Sequence, residues 1–244
     1  MRIPRVYTAQ ALRSDTSFEL EPGPSQHLSR VLRMKPGDSI ILFDGTGGQY
    51  PAIISALGRK CVVAITADLD PVERESGLCL HLGIAISRGE RMDWVVQKAT
   101  ELGVNTITPL RSERTEVRLS GERAGKKLRH WQQIATSACE QCGRNRLPNI
   151  QPAQDLAQWI SGVEADTRLV LHHRASSAQT DATSPSSIAL LVGPEGGLSP
   201  EEITAAEQAQ FSSLQLGPRV LRTETAPLAA IAILQARWGD MAGS

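Results

Sequence analysis

The sequence predicts an α/β protein in which a parallel sheet covered by helices on both faces follows a small domain of short strands. Three observations carry this reading. Between Asp38 and Thr66 apolar and polar residues alternate in short runs cut by glycine-bearing turns, the period of half-buried strands. From Leu78 onward, almost wholly apolar runs alternate with segments of helical period, as buried parallel strands and their crossover helices do. The stretch Asp68–Gly77 is polar and holds a proline, the composition of a linker. The expected domains are therefore residues 1–72 and 73–244.

In chain order, "SFELEP" is a strand and "PSQHLSRVLRM" a short helix bearing Arg30 and Arg33. Three strands follow within Asp38–Thr66, separated by turns at Asp44–Gly48 and Gly58–Lys60, and short strands with tight turns point to a small barrel. Leu78–Ile86 is the first strand of the second part. In the helix after it, Met92, Val95, Val96, Ala99 and Leu102 share one face, and Gly103 is placed to end it. Next come strand "NTITPL" and a long helix from about Gly121 to Cys142, whose stripe is Leu128, Trp131, Ile134, Ala135 and Ala138. A short helix near Asp155–Ile160, strand "TRLVLHH", the polar loop "RASSAQTDATSPSS" and strand "IALLV" lead to a glycine loop. Helix Pro200–Gln210, strand "SLQL", a second loop and helix Pro227–Trp238 complete the pattern, and no internal repeat is visible.

Composition narrows the function. The chain has 244 residues, 41% apolar and 21% charged, an ordinary balance for a globular protein with a sizeable core. Aromatic residues make up only 4%, which argues against a base-stacking surface built on many rings. The longest apolar stretches, Ile188–Val192 and Leu228–Leu234, are too short to span a bilayer. "MRIPRVYTAQ" has no apolar signal core, so the expected location is the cytoplasm. Cys61, Cys79, Cys139 and Cys142 have no disulfide spacing; "CEQC" reads as two small helix residues one turn apart, because no second pair or histidine cluster completes a zinc site. His172 and His173 likewise lack a partner at ligand spacing, and no metal is expected. Net charge is zero, yet basic residues dominate 87–146 and acidic ones 147–244. Such a division can present a phosphate-binding face, and solvated helix faces give the same pattern.

Two loops carry the candidate chemistry. In "ALLVGPEGGLSPEEI", Gly193, Gly196 and Gly197 permit unusual backbone conformations and close approach of a ligand. Ser199, Pro200 and Glu202 form the cap, first residue and capping-box glutamate of a helix. No nucleotide phosphate-loop motif is present, and Glu195 would repel a phosphate; the loop suits a ligand with hydroxyls or a positive centre. The second loop lies in "LGPRVLRTETAPLAAIAIL", where Arg219, Arg222 and Glu224 precede a helix for which Thr225 is the expected cap. That helix is nearly all small and aliphatic, hence expected to be buried, so the polar groups at its entrance pair with one another or face a ligand.

Together, "GPEGG" and "LGPRVLRTETA" resemble the bacterial 16S rRNA uridine-N3 methyltransferase family of the SPOUT superfamily. "RGERMDWVVQKATELGV", "ITPLRSERTEV", "IATSACEQCGRNRLP" and "LHHRAS" are similar to it as well, with His173 standing where the family pattern has proline. "RIPRVY" and "HLSRVLRMKPGD…DGTGG" match its small RNA-binding barrel, a PUA-like domain. The resemblance implies a deep trefoil knot in the C-terminal domain, with S-adenosylmethionine (SAM) bent between three walls. These are Leu171-His172, the loop with Gly193, Pro194, Glu195 and Gly196, and the segment with Leu216, Leu221, Arg222, Thr223 and Thr225; Leu216 and Leu221 would sandwich the adenine. It also implies a homodimer acting on the small ribosomal subunit, with the last helix and Trp238 at the interface or in the core. Arg222 would stabilise charge on the uracil, and Glu224 would act as base or hold Arg222; a purely structural Arg–Glu pair is the alternative. Arg5, Arg30, Arg33, Arg88, Arg91 and Arg114 are the candidates for gripping RNA phosphates, each with a solvated surface charge as its alternative. A knotted methylase with a ribose or tRNA target, and a ribosome-assembly module without catalysis, stay open beside the uridine reading.

Overall fold

A computed structural model describes residues 3–58, 61–117, 119–172 and 184–241. The chain divides into two compact units, one formed by residues through Glu75 with Thr136–Leu147, the other by Ser76–Ala135 with Pro148 onward. Thr136–Leu147, which lies within the expected second domain, groups with the N-terminal unit.

In the first unit, β1 (Arg5–Tyr7), β2 (Ser17–Glu19), α1 (Pro22–Gln26), β3 (Ser39–Phe43), β4 (Tyr50–Leu57) and β5 (Val62–Thr66) give a five-stranded sheet in the order β1-β3-β4-β5-β2. Its ladder is open between β1 and β2, so hydrogen bonds do not close the expected barrel. Alternate residues Ile40, Leu42, Ala52, Ile54, Val62 and Ala64 bury into one cluster with Leu28. The expected helix over "PSQHLSRVLRM" ends early: after α1 comes a π turn at His27–Val31, and Arg33 lies beyond it with φ 52°. The polar stretch expected as a linker is tied down. Gln49 and Asp70 exchange backbone hydrogen bonds, Glu73 pairs with Arg146 at 3.1 Å, and Glu75 with the buried Arg144 at 2.5 Å. Cys139 is buried at the end of the long helix, and burial pushes its thiol up to about 12, so it stays protonated.

The second unit contains β6 (Cys79–Ala85), α2 (Arg91–Glu101), β7 (Thr106–Arg111), α3 (Gly121–Cys142, whose last residues enter the first unit), β8 (Asn149–Ile150), β9 (Gln154–Asp155), α4 (Leu156–Gly162), β10 (Thr167–Leu171), β11 (Ser187–Val192), α5 (Pro200–Gln208), β12 (Ser212–Leu214) and α6 (Thr225–Trp238). Its strands are all parallel, ordered β12-β10-β11-β6-β7-β8, with β9 also on β7. Side chains alternate across the sheet. Leu80, Leu82, Ile84, Ile188, Leu190 and Val192 face α2, α3 and α6, while Leu110, Val170, Ala189 and Leu191 face α4 and α5. Full burial of one such side chain is worth about 1.5–3 kcal/mol. On β6, burial lowers His81 to about 4, and the neutral ring accepts from the Trp159 indole at 3.2 Å. Gly83 is required beside it, since a Cβ there would lie 2.5 Å from the Trp159 ring.

Two further expectations change. The last helix begins at Thr225, not Pro227, with Glu224 rather than Thr225 at the cap position and no side-chain cap bond. It is also buried along only one side, through Pro227, Ala230, Ile231, Leu234 and Gln235, while Ile233 is 49% exposed.

Candidate functional site

Parallel strands bring all their C-terminal ends to one edge, and ligands on such sheets sit there. The ends of β10, β11 and β12 surround a pocket of about 540 Å³. Leu171 and His172 form one wall, Val192 to Leu198 a second, and Leu214 to Gly217 and Arg219 to Leu221 with Thr223 and Ala226 much of the third.

The glycine loop is fixed by its own residues. Gly193 packs so tightly that a Cβ would meet Leu198 Cγ at 2.9 Å and the Leu198 nitrogen at 3.1 Å. Gly197 adopts φ +70° and donates its N–H to the Pro194 carbonyl at 2.9 Å. Gly196 needs neither freedom: its φ is ordinary, and an added Cβ would touch only Arg114, at 3.5 Å. Thus of the three glycines expected to serve unusual backbone shapes, only Gly197 does so. Beyond them the capping box forms, with Glu202 N–H donating to Ser199 Oγ (3.3 Å) and Ser199 N–H to Glu202 Oε2 (2.9 Å). Glu202 Oε1 also accepts from the Glu113 amide at 2.8 Å, and Arg114 Nη1 donates to the Gly196 carbonyl at 2.9 Å. The stretch Glu113-Arg114 therefore braces the loop from outside.

The second loop is open by contrast. Gly217 has φ +79°, and Gly217 to Val220 are exposed, Val220 by 82%. The Arg222 carbonyl accepts from Thr225 and Ala226, both at 2.9 Å, which starts α6. Arg222's guanidinium is exposed and pairs with nothing among the described residues. The expected Arg222–Glu224 pair is absent; Glu224 lies instead 3.9 Å from Arg91 Nε, and Arg91 Nη1 reaches Glu195 at 2.9 Å.

Of the residues expected to hold a cofactor, Leu171, His172, Gly193, Pro194, Glu195, Gly196, Leu216, Leu221 and Thr223 line the pocket; Arg222 and Thr225 do not. Neither Arg222 nor Glu224, the two catalytic candidates, is in its lining. His173, with its departure from the family pattern, lies outside the described residues. Val192, Gln215 and Ala226 line the pocket outside the three walls expected for it, and Arg219 and Val220 lie within the expected third wall. Their adjacency to the two motifs was the available signal.

The arginines expected to grip RNA separate into two groups. Arg5 is an anchor of the first unit: it donates to Gln49, to the Arg144 carbonyl at 3.0 Å and to Asn145 Oδ1 at 2.7 Å, and stacks 4.9 Å over Phe43. Arg88 pairs with Glu116 at 2.5 Å, and Arg91 and Arg114 serve the pocket loops. Arg30 and Arg33 are exposed, with side chains unpaired among the described residues.

Comparison with known proteins agrees with this layout. Residues 74–235 match an RNA methyltransferase domain, and residues 25–66 an RNA methyltransferase PUA domain. The "Ribosomal RNA small subunit methyltransferase E" of Buchnera aphidicola subsp. Schizaphis graminum is 36% identical over 242 residues, covering 98% of both chains. The protein of that name from Bacillus subtilis is 28% identical, covering 93% of both. A Legionella pneumophila methyltransferase in complex with SAM superposes with a TM-score of 0.95 at 42% identity, covering 98% of this chain and 100% of that one. The SAM-bound Neisseria gonorrhoeae "Ribosomal RNA small subunit methyltransferase E" gives 0.92 at 39%, covering 98% and 99%.

Proposed function

The chain belongs to the ribosomal RNA small subunit methyltransferase E family, and from that premise we propose that it transfers a methyl group to N3 of one uridine in 16S rRNA. It is a SAM-dependent rRNA methyltransferase. The observation that supports the site is the pocket at the ends of β10, β11 and β12, whose volume of about 540 Å³ suits a small molecule. Leu171, Leu216 and Leu221 offer apolar walls for an adenine, and the Gly193–Gly197 backbone leaves space beside its own polar groups for the nucleoside. When bound, SAM supplies an electrophilic methyl on a sulfonium.

The chain must then make uracil N3 nucleophilic, which requires its proton to leave and the charge growing on O2 and O4 to be offset. Arg222 is assigned the charge-offsetting role, being exposed next to the pocket segment with its guanidinium uncommitted among the described residues. Glu224 receives the proton or fixes the loop through Arg91. Arg30 and Arg33 hold RNA phosphates, and the uridine is presented unpaired or turned out of its stack. We further place a second copy of the chain along the exposed side of α6 at Ile233, a trefoil knot in the threading of the two pocket loops, and the protein in the cytoplasm. No helix of the described residues is long and apolar enough to cross a membrane.

The test is transfer of labelled methyl from SAM to small subunits from a strain lacking the protein, followed by nucleoside analysis. The expected product is 3-methyluridine. Label on a ribose or another base overturns the N3 assignment, and no label despite SAM binding favours an assembly module without catalysis.

A further inference from the structure

Arg91 stands at a place where local physics disfavours it. It is the first residue of α2, where the helix N-terminus carries partial positive charge and a cation is unfavourable. Glu90 makes no side-chain cap bond, and Asp93, the acidic residue of the same first turn, is engaged by Trp131, Lys127 and His130 of α3 rather than by Arg91. What offsets the cost lies far away in sequence: Glu195 of the glycine loop at 2.9 Å and Glu224 before α6 at 3.9 Å. Both loops bound the pocket, and they follow different strands. A residue that breaks its own helix's rule while satisfying two others is placed for the site rather than for the helix.

We propose that Arg91 is a positioning residue: an electrostatic clasp that ties the glycine loop to the Glu224 segment and so sets how long SAM stays in the pocket. This rests on the pocket being the SAM site. Arg91 itself is absent from the pocket lining, so its effect runs through Glu195 and Glu224. Both pairs are partly exposed, with side-chain exposures of 44% for Arg91, 38% for Glu195 and 22% for Glu224, so salt weakens the clasp without dissolving it. Lysine keeps the charge but has a single nitrogen in place of the guanidinium fork, and reaches one carboxylate at a time.

The experiment measures SAM dissociation by stopped flow and affinity by calorimetry on the full chain, at low and high salt, in wild type, Arg91→Ala, Arg91→Lys and Glu224→Gln. Arg91→Ala is expected to raise the dissociation rate about three- to tenfold and to flatten its salt dependence, with Arg91→Lys intermediate. Glu224→Gln removes one half of the clasp and raises the rate less than Arg91→Ala. In Arg91→Ala the KM for SAM rises by a larger factor than kcat falls. An unchanged dissociation rate in Arg91→Ala, or a rise only in the KM for RNA, overturns the clasp and returns Arg91 to phosphate contact. Failure of the wild type to bind SAM at all overturns the site reading instead.

Discussion

The two loops that bound the pocket are built in opposite ways. The glycine loop is over-determined: Gly193 is locked against Leu198, Gly197 closes a turn onto Pro194, Ser199 and Glu202 cap α5, and Arg114 holds the Gly196 carbonyl. The second loop has one glycine at positive φ and a backbone turn onto the Arg222 carbonyl ahead of α6, and leaves Arg219, Val220 and Arg222 in solvent. One wall is scaffold, held by bonds within the loop and from Glu113 and Arg114; the other leaves the Arg219 and Arg222 side chains unpaired among the described residues. Binding and chemistry should therefore separate between them under mutation.

The largest separation is expected from Arg222→Ala, which lowers kcat about 100- to 1,000-fold while SAM affinity by calorimetry stays near wild type. An equal loss in SAM affinity would make the second loop scaffold too. Next in size is an effect on the sheet that carries both loops. The His81 ring titrates at its ordinary 6.5 in the unfolded chain and about 4 in the fold, so below pH 6.5 the unfolded state binds more protons. The stability this gives is whole above pH 6.5 and drains away as pH falls toward 4, by about 3 kcal/mol. Denaturant titrations across that window should show a shallower decline in His81→Gln. Gly193→Ala follows: its methyl group must displace Leu198, at about 1–3 kcal/mol, read as weaker SAM binding with the methylation rate at saturation largely kept. The smallest is Ser199→Ala, which removes half of the capping box and costs about 1 kcal/mol of stability in a thermal melt.

The same contrast explains what the sequence could convey. The glycine loop was legible because its determinants are local: Ser199, Pro200 and Glu202 spell a helix start within four residues. The α2 face was equally plain, since Met92, Val95, Val96 and Ala99 repeat at helical spacing and are all buried. The two- and three-residue strands β1, β8 and β9 were not, being too short to display a period. Charge was the least legible property. Arg5, Arg91 and Arg114 read as surface cations because their partners, Asn145, Glu195 and Gly196, are distant in sequence. Thr225 failed as a cap for a related reason, since the backbone turn onto the Arg222 carbonyl starts the helix earlier. The pocket's position followed from fold class; who holds whom across it did not.

The order of the parallel sheet has a consequence for how the molecule is made. Its central strand β6 pairs with β7 on one side but with β11 on the other, Cys79 lying opposite Ser187. A growing chain exposes that second edge until Val192 has left the ribosome, roughly 5–20 s later at ordinary rates of synthesis. During that interval the β6 edge that β11 later covers is open to any strand that passes.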